Sequence, residues 1–348
     1  MSDPSDCDAR IKFSIGRQLQ GTTNGTFTVP FGLAFDHHRG LLLVVDVGNH
    51  RVQVFSSDDG SFVSKFGERG TGELSRPLAL TIDHDHDRIL VVDASRFRVQ
   101  SWSLSDQSFL ECDGPRISGV LEFTFPRGIA IDKHHHRIII ADIKNHRLVV
   151  LSSIDFSFLF EIGGKEGSRP GEFNYPTSIA IDHDRHRIIV SDTNNHRVQV
   201  LSLIDGSFLF EFGSQGNQPG QLDSPHGLCI DNHGRIIVAD SRNYRLQAFT
   251  HEGHHISSFD CGQQRSWAVA FDEHRGLIAF SARNRVHVIG ANQWLPDTEF
   301  TWRPDRHHRA PSWMKQTVLT TTMIRSVVDG SAMSMIPNEL LFEIFSFL

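Results

Sequence analysis

Along most of the chain, apolar runs of four to seven residues alternate with clusters of Asp, His, Gly, Asn and Ser. The first unit reads GLAFD, LLLVVD, RVQVF and SFVSKFG. Such segments, rich in Val, Leu and Phe and bounded by turn formers, predict four short β-strands. The second and third belong to one stretch, VVDVGNHRVQVF from Val44, which reads as a hairpin turning at Gly48-Asn49.

This hairpin recurs. VVDASRFRVQSW, IADIKNHRLVVL, VSDTNNHRVQVL and VADSRNYRLQAF place Asp93, Asp142, Asp192 and Asp240 where the first copy has Asp46, and AFSARNRVHVI is a degenerate sixth copy with Ser281 in that place. Upstream of each stands PFGLAFD, PLALTID, PRGIAID, PTSIAID, PHGLCID or SWAVAFD, whose aspartates Asp36, Asp83, Asp132, Asp182, Asp231 and Asp272 lie 47, 49, 50, 49 and 41 residues apart. A period of that length with several short strands per unit marks a propeller or solenoid. Four antiparallel strands make one blade, so six units predict an all-β, six-bladed β-propeller.

Side chains on a strand alternate between faces. On one face of the innermost strand stand Gly32, Ala79, Gly128, Ser178, Gly227 and Ala268, and two positions on Ala34, Thr81, Ala130, Ala180, Cys229 and Ala270; small residues there let six strands crowd around an axis. The sixth unit ends after RVHVIG without a fourth strand, while IKFSIG near the N-terminus matches the fourth strands SKFG, FEIG and FEFG. Ile11–Gly16 is therefore expected to complete the last blade, which removes the open edges that an unclosed ring would present.

The N-H-R hairpin and the PxGIAxD strand resemble the NHL-repeat β-propellers over roughly residues 11–290. The second unit departs from the pattern at Phe97, where His is usual, and in its 111–125 connection; the sixth lacks the second aspartate. The resemblance implies a ligand on the face that carries the hairpin turns, in some of these propellers single-stranded RNA. Related six-bladed folds host lyases, lactonases and esterases, yet fold does not fix function. The residues expected to ring the mouth on that face are Phe31, Leu78, Arg127, Thr177, His226 and Trp267; one His and one Arg among largely apolar neighbours make neither a metal site nor a catalytic constellation, so no catalytic residue, cofactor or metal ligand is assigned. Phe97, Arg127, Tyr175, His226, Tyr244 and Trp267 are the candidate target-binding residues. Nearby Arg69, Arg76, Arg116, Lys144, Lys165, Arg169, Arg242 and Arg283 are offset by Glu68, Glu73, Glu166, Glu172 and Asp223, and the nearly neutral balance favours a protein target over RNA.

Composition changes this picture little. The formal charge of −7 gives no general attraction to nucleic acid, and Cys7, Cys112, Cys229 and Cys261 show no CxxC spacing of a disulfide framework or zinc site. No signal peptide or membrane-length apolar run is evident, so a monomeric propeller in the cytoplasm is expected. The pairs Asp46 and Arg51, Asp142 and Arg147, Asp192 and Arg197 read as structural ion pairs across each hairpin, since catalytic groups would not recur in every blade. Of 21 histidines, 11 fall in turns joining first and second strands: His37, His38, His84, His86, His134, His135, His136, His183, His186, His233 and His274. Pairs such as His84 with His86 or His183 with His186 have metal-ligand spacing, but each group is assigned to its own blade with no shared centre and read as a solvated, pH-sensitive rim.

The repeat ends near Gly290. Residues 291–314, with prolines, tryptophans and charge clusters, read as a linker or arm, residues 1–10 as an N-terminal tail, and 315–348 as a helical tail. In the last stretch Pro337 suits a first helical turn and Glu339 the positive helix end, while Leu340, Leu341, Ile344, Phe345 and Leu348 form one apolar stripe. This segment resembles the opening of an F-box, LPxELLxxIFSxL, and more distantly, with Val318, Leu319, Met323, Ile324 and Val327 as a first helix, a SOCS box. The resemblance implies a Skp-type or elongin-type adaptor of a cullin ubiquitin ligase, bound through Pro337 and the stripe. The alternatives here are a truncated F-box, a short two-helix module and a helix that merely caps the propeller. The expected function is a non-catalytic adaptor, with RNA binding and then an axial lyase or hydrolase as the other readings.

Overall fold

The computed structural model describes residues 10–17, 19–68, 72–113 and 123–295. The tails 1–9 and 296–348 lie outside them, and with them the adaptor-binding Pro337, Leu340, Leu341, Ile344, Phe345 and Leu348; so do Arg69 and Arg116.

The described residues form a six-bladed β-propeller of six four-stranded antiparallel sheets. Blade 1 comprises Pro30–Asp36, Leu41–Asp46, Arg51–Ser56 and Phe62–Phe66. Blades 2 to 5 repeat this order from Pro77, Pro126, Pro176 and Pro225. Blade 6 takes Val269–Asp272, Leu277–Ala282 and Arg285–Gly290 from its own repeat and its outer strand, Ile11–Gly16, from the other end of the chain.

Blades stack face to face, so their middle strands are covered on both sides. That is why LLLVVD is a continuous apolar run: Leu42, Leu43, Val44 and Val45 are all buried, and the six hydrophobic clusters lie between neighbouring blades. Outer strands cover one face only and alternate accordingly, with Val63 exposed and Phe66 buried in blade 1. The axis is crowded enough to require Gly at particular positions. A Cβ on Gly32 would stand 2.7 Å from the Ala79 Cα, and one on Gly227 2.5 Å from the Ala268 Cα.

Residues 291–295, placed by the sequence at the start of the linker, pack into the propeller. Ala291–Trp294 is one helical turn, Trp294 lies edge-on to Phe259 at 5.7 Å, and Leu295 is fully buried. No helix among the described residues is long and apolar enough to cross a membrane.

Candidate functional site

The hairpin does not turn at Gly48-Asn49 alone. Val47–Asn49 form one 3-10 turn, closed by His50 in the left-handed region (φ 54°), and Phe97, His146, His196 and Tyr244 occupy the same place in blades 2 to 5. This geometry brings Asp and Arg together. In blade 4 Arg197 Nε donates to Asp192 Oδ2 at 2.8 Å, joined on that oxygen by Asn195 Nδ2 at 2.9 Å and Gln199 Nε2 at 3.0 Å, while the Asn174 amide donates to Oδ1 at 2.7 Å. Arg51 meets Asp46 at 3.0 Å and Arg147 meets Asp142 at 3.2 Å in the same way. The guanidinium then reaches the loop preceding the blade's first strand: Arg197 donates to Ser168 O, Arg169 O and Glu172 O, and Arg51 to Thr22 O, Thr23 O and Thr26 O. Each network ties the upper loop of a blade to its hairpin and satisfies a buried carboxylate. The buried Gln53, Gln100, Gln199 and Gln247 belong to it. Sequence reasoning passed over them, although RVQ and RLQ recur two residues beyond the aspartate-arginine spacing.

The networks hold the upper face on which the mouth opens. In blades 1 to 5 the first strand carries a register shift just after its proline, and such a bulge re-aims the next side chain. The result is an axial cavity of about 100 Å³ lined by Phe31, Leu78, Arg127, Thr177, His226 and Trp267 among others. A second, of about 170 Å³, adjoins it, where Tyr175, Asn194, Arg242 and Arg265 face Arg127, His226 and Trp267. Neither is lined by a carboxylate.

Four side chains stack in a row across the mouth. The Arg127 guanidinium lies 4.5 Å from the Phe31 ring centre, Phe31 stacks on Trp267 at 5.9 Å, and His226 meets Trp267 edge-on at 4.7 Å. Arg265 lies over the indole at 5.9 Å. Arg127 has no carboxylate partner among the described residues; burial, and then Arg76, lowers its pKa to about 9, which leaves it charged at neutral pH. His226 is buried, its Nδ1 lacks a hydrogen-bonding partner, and burial followed by Arg127, Arg265 and Arg242 holds its pKa well below the ordinary value.

Of the six residues assigned to target binding, Arg127, Tyr175, His226 and Trp267 are brought together. Phe97 and Tyr244, 50% and 38% exposed, stand on hairpin tips of the same face but do not line the cavities. His50 and His196 at the equivalent positions accept the amides of Arg76 and Ser224 from the next blade. Arg265 went unnoticed in the sequence because it sits in the irregular stretch before the sixth unit. The carboxylates that suggested a neutral face are paired: Glu68 with Arg51 and Lys65, Glu73 with Arg96, Glu166 with His146, Glu172 with Lys165, and Asp223 with His196 and Arg242.

At the opposite mouth the histidines do not stay on separate blades. The first strands line the axis, so the turns that follow them meet there. His37 and His38 of blade 1 lie against His84 of blade 2 and His274 of blade 6, with His37 centroid distances of 4.2, 5.1 and 4.4 Å to His38, His84 and His274. His134 and His183 form a second contact at 4.7 Å. His86 and His135 serve their own turns, with Nδ1 2.9 Å from Asp83 and 2.8 Å from Asp132.

Burial, and then the neighbouring His134, hold His183 down at about 4. An unfolded His titrates near 6.5, so between about pH 6.5 and 4 the unfolded chain binds the extra proton and stability falls as pH falls. His183→Gln is expected to shrink the stability lost between about pH 7 and pH 4.5 by roughly 1–2 kcal/mol. Urea unfolding at the two pH values measures this; an unchanged loss would exclude the linkage.

Comparison with known proteins agrees with this architecture. A model of the NHL repeat matches residues 173–201 and 222–249, and a model described as a 6-bladed beta-propeller matches residues 34–118. Protein lin-41 of Caenorhabditis elegans is 46% identical over 46 residues, 13% of this chain and 4% of that protein, and the brain tumor protein of Drosophila melanogaster 33% over 84 residues, 22% of this chain and 8% of that one. The matches thus span less than a tenth of these relatives. Among solved structures, a structural-genomics protein of unknown function from Bacteroides thetaiotaomicron superposes with a TM-score of 0.61 at 14% identity, over 78% of this chain and 72% of that one. A streptogramin B lyase superposes at 0.56 and 12% identity, over 79% and 96%. At such identities the likeness is one of fold. The chain is a six-bladed β-propeller that carries NHL repeats.

Proposed function

We propose that this protein is a non-catalytic recognition propeller that seats an extended anionic chain across its upper mouth, with single-stranded RNA as the ligand class that fits the groove best. The observation that carries the reading is Arg127, a guanidinium half-buried at the axis, without a carboxylate partner, stacked on Phe31 and beside Trp267. Cations interleaved with aromatic rings are what single strands use, since every base offers a face to stack and every phosphate a charge, and Tyr175, 39% exposed at the second cavity, is the ring open to a base. Arg76 and Lys144 over Phe125 extend the positive arc toward blades 2 and 3, and Arg265 extends it toward blade 6, while Arg242 is shared with Asp223. Against the negative net charge stand Arg127 and Arg265, beside cavities that no carboxylate lines. An axial hydrolase or lyase would need a general acid or base beside His226, and neither cavity wall offers a carboxylate.

A second reading is a ligase adaptor that captures an acidic protein segment on the same mouth. It rests on the sequence Ile336–Leu348, whose F-box-like pattern would recruit a Skp-type or elongin-type adaptor by laying an apolar helix in a groove.

One experiment separates the two readings. A labelled single-stranded RNA of about ten nucleotides, titrated into the full chain, is expected to bind at micromolar concentration or tighter, with an affinity that falls as salt rises. Arg127→Ala combined with Tyr175→Ala is expected to weaken binding at least tenfold, roughly 1.4 kcal/mol or more, with no change in melting. If an acidic peptide binds through the same residues and RNA does not, and cullin-adaptor peptides appear in a pull-down of the full chain, the adaptor reading replaces the first. If neither ligand binds, the mouth is not a recognition site.

A further inference from the structure

The opposite, lower mouth carries a constellation that a peripheral rim would not produce. The residue following the first-strand aspartate is Glu273 in blade 6, His37 in blade 1 and His84 in blade 2, and His37 meets both of the others. His38 and His274 join them from the same turns. Nitrogen atoms of His37, His38 and His84 lie within 4.8 Å of one another, as do the ligating atoms of His37, Glu273 and His274. The two sets share His37, whose Nε2 lies 3.7 Å from Glu273 Oε1. His38 lies 4.4 Å from His84, centroid to centroid.

The turns beneath are fixed by buried carboxylates. Asp36 accepts the Arg39 amide and side chain at 3.2 and 3.1 Å, Asp83 accepts the His86 amide, and Asp272 accepts the amides of His274 and Arg275 at 3.0 and 3.2 Å. His86 and His135, by contrast, are spent on their own aspartates. The ring nitrogens of His38, His84 and His274 have no hydrogen-bonding partner among the described residues.

We infer that the lower mouth binds one divalent transition-metal ion of the zinc class through His37, His38 and His84, with Glu273 or His274 as the fourth donor. Protonated imidazoles this close repel one another, whereas a metal ion is bound by several neutral imidazole lone pairs together with a carboxylate. Imidazole and carboxylate donors suit zinc, which holds four such ligands at about 2.0–2.2 Å. Ligands so placed around a tetrahedral centre stand roughly 3.3 Å apart, so the donor atoms, now within 4.8 Å of one another, would draw together on binding, with the exposed His38 and His274 freer to move than the half-buried His37 and His84. The ion would tie blades 6, 1 and 2 across the seam where the ring closes. This site is independent of the ligand proposed for the upper mouth.

The test uses the full chain, freed of metal with a chelator and titrated calorimetrically with zinc chloride. One ion per chain at micromolar Kd or tighter is expected, with a rise in Tm that scales with zinc concentration. Cobalt chloride in its place is expected to give the visible absorbance of a four-coordinate site. His37→Ala and His84→Ala should each weaken binding at least tenfold while the metal-free Tm stays unchanged, and His254→Ala on blade 5 should bind as the unaltered chain does. Should the buried positions fail to fold when changed, the exposed pair His38→Gln and Glu273→Gln carries the same test. Millimolar binding, or binding that survives these changes, would overturn the assignment.

Discussion

Deleting residues 1–17 is expected to lower the melting temperature by on the order of 10 °C and to promote self-association. Ile11–Gly16 is the outer strand of blade 6, in register with Arg285–Gly290 through Ile15↔Val286 and Phe13↔Val288. Ile15 is buried against Phe27, Val286 and Val288, Phe13 packs on the same cluster, and Ser14 Oγ lies 2.6 Å from His287 Nδ1. A buried aliphatic side chain contributes about 2–3 kcal/mol, and each ladder hydrogen bond about 1 kcal/mol net. The strand therefore contributes roughly 5 kcal/mol of a total that for most proteins is only about 5–15. Without it, Arg285–Gly290 becomes an open edge. Differential scanning calorimetry and size-exclusion chromatography check both expectations; a melting curve superimposable on that of the full chain would mean that the ring does not depend on this strand.

Asp192→Ala is expected to destabilise the propeller by about 3–5 kcal/mol while leaving upper-mouth affinity within about twofold of the original. The loss is large because Asp192, fully buried, accepts from Arg197, Asn195, Gln199 and the Asn174 amide. Alanine strands a buried guanidinium and three further donors together. Blade 6 illustrates what replacement of the aspartate entails. There Ser281 accepts the amides of Trp267 and Ala268 at 3.0 Å each, the hairpin is one residue shorter, and the Arg285 Nε lacks a hydrogen-bonding partner. Serine thus serves in that position when the hairpin changes with it, whereas Asp192→Ala alters one member of an intact network. Chemical denaturation gives the stability change. Unaltered stability together with lost binding would make Asp192 a ligand contact instead of a structural anchor.

The architecture was legible because it is written six times. A repeated residue type at a repeated spacing fixes strand count, blade count and the small residues at the axis, and the pairing of Ile11–Gly16 with the last blade followed from a shortage of one strand at one end and a surplus at the other. The aspartate-arginine spacing was visible for the same reason, and its glutamine partner could have been found by the same comparison of repeats. The upper mouth was half legible. The residue after each proline was expected at the axis, but that Arg127, Phe31, Trp267 and His226 would stack in one row depends on bulges and rotamers that no single repeat encodes. The near-neutral balance counted from the sequence could not show which of Glu68, Glu73, Glu166, Glu172 and Asp223 pair with which cation, nor that Arg127 stands apart from all of them.

The lower mouth marks the limit. From the sequence, His37, His84 and His274 stand in separate repeats and look like separate turns. Periodicity along a chain reports which positions are equivalent, so it determined by itself the blades, the core and the hairpin anchors of this protein. Which equivalent positions touch is a property of the closed ring, in which residues far apart in sequence are brought within 5.1 Å, centroid to centroid, only because six strands converge on one axis. That convergence, a consequence of tertiary closure, is what gathers the arginines and aromatic rings at one mouth and the histidines at the other.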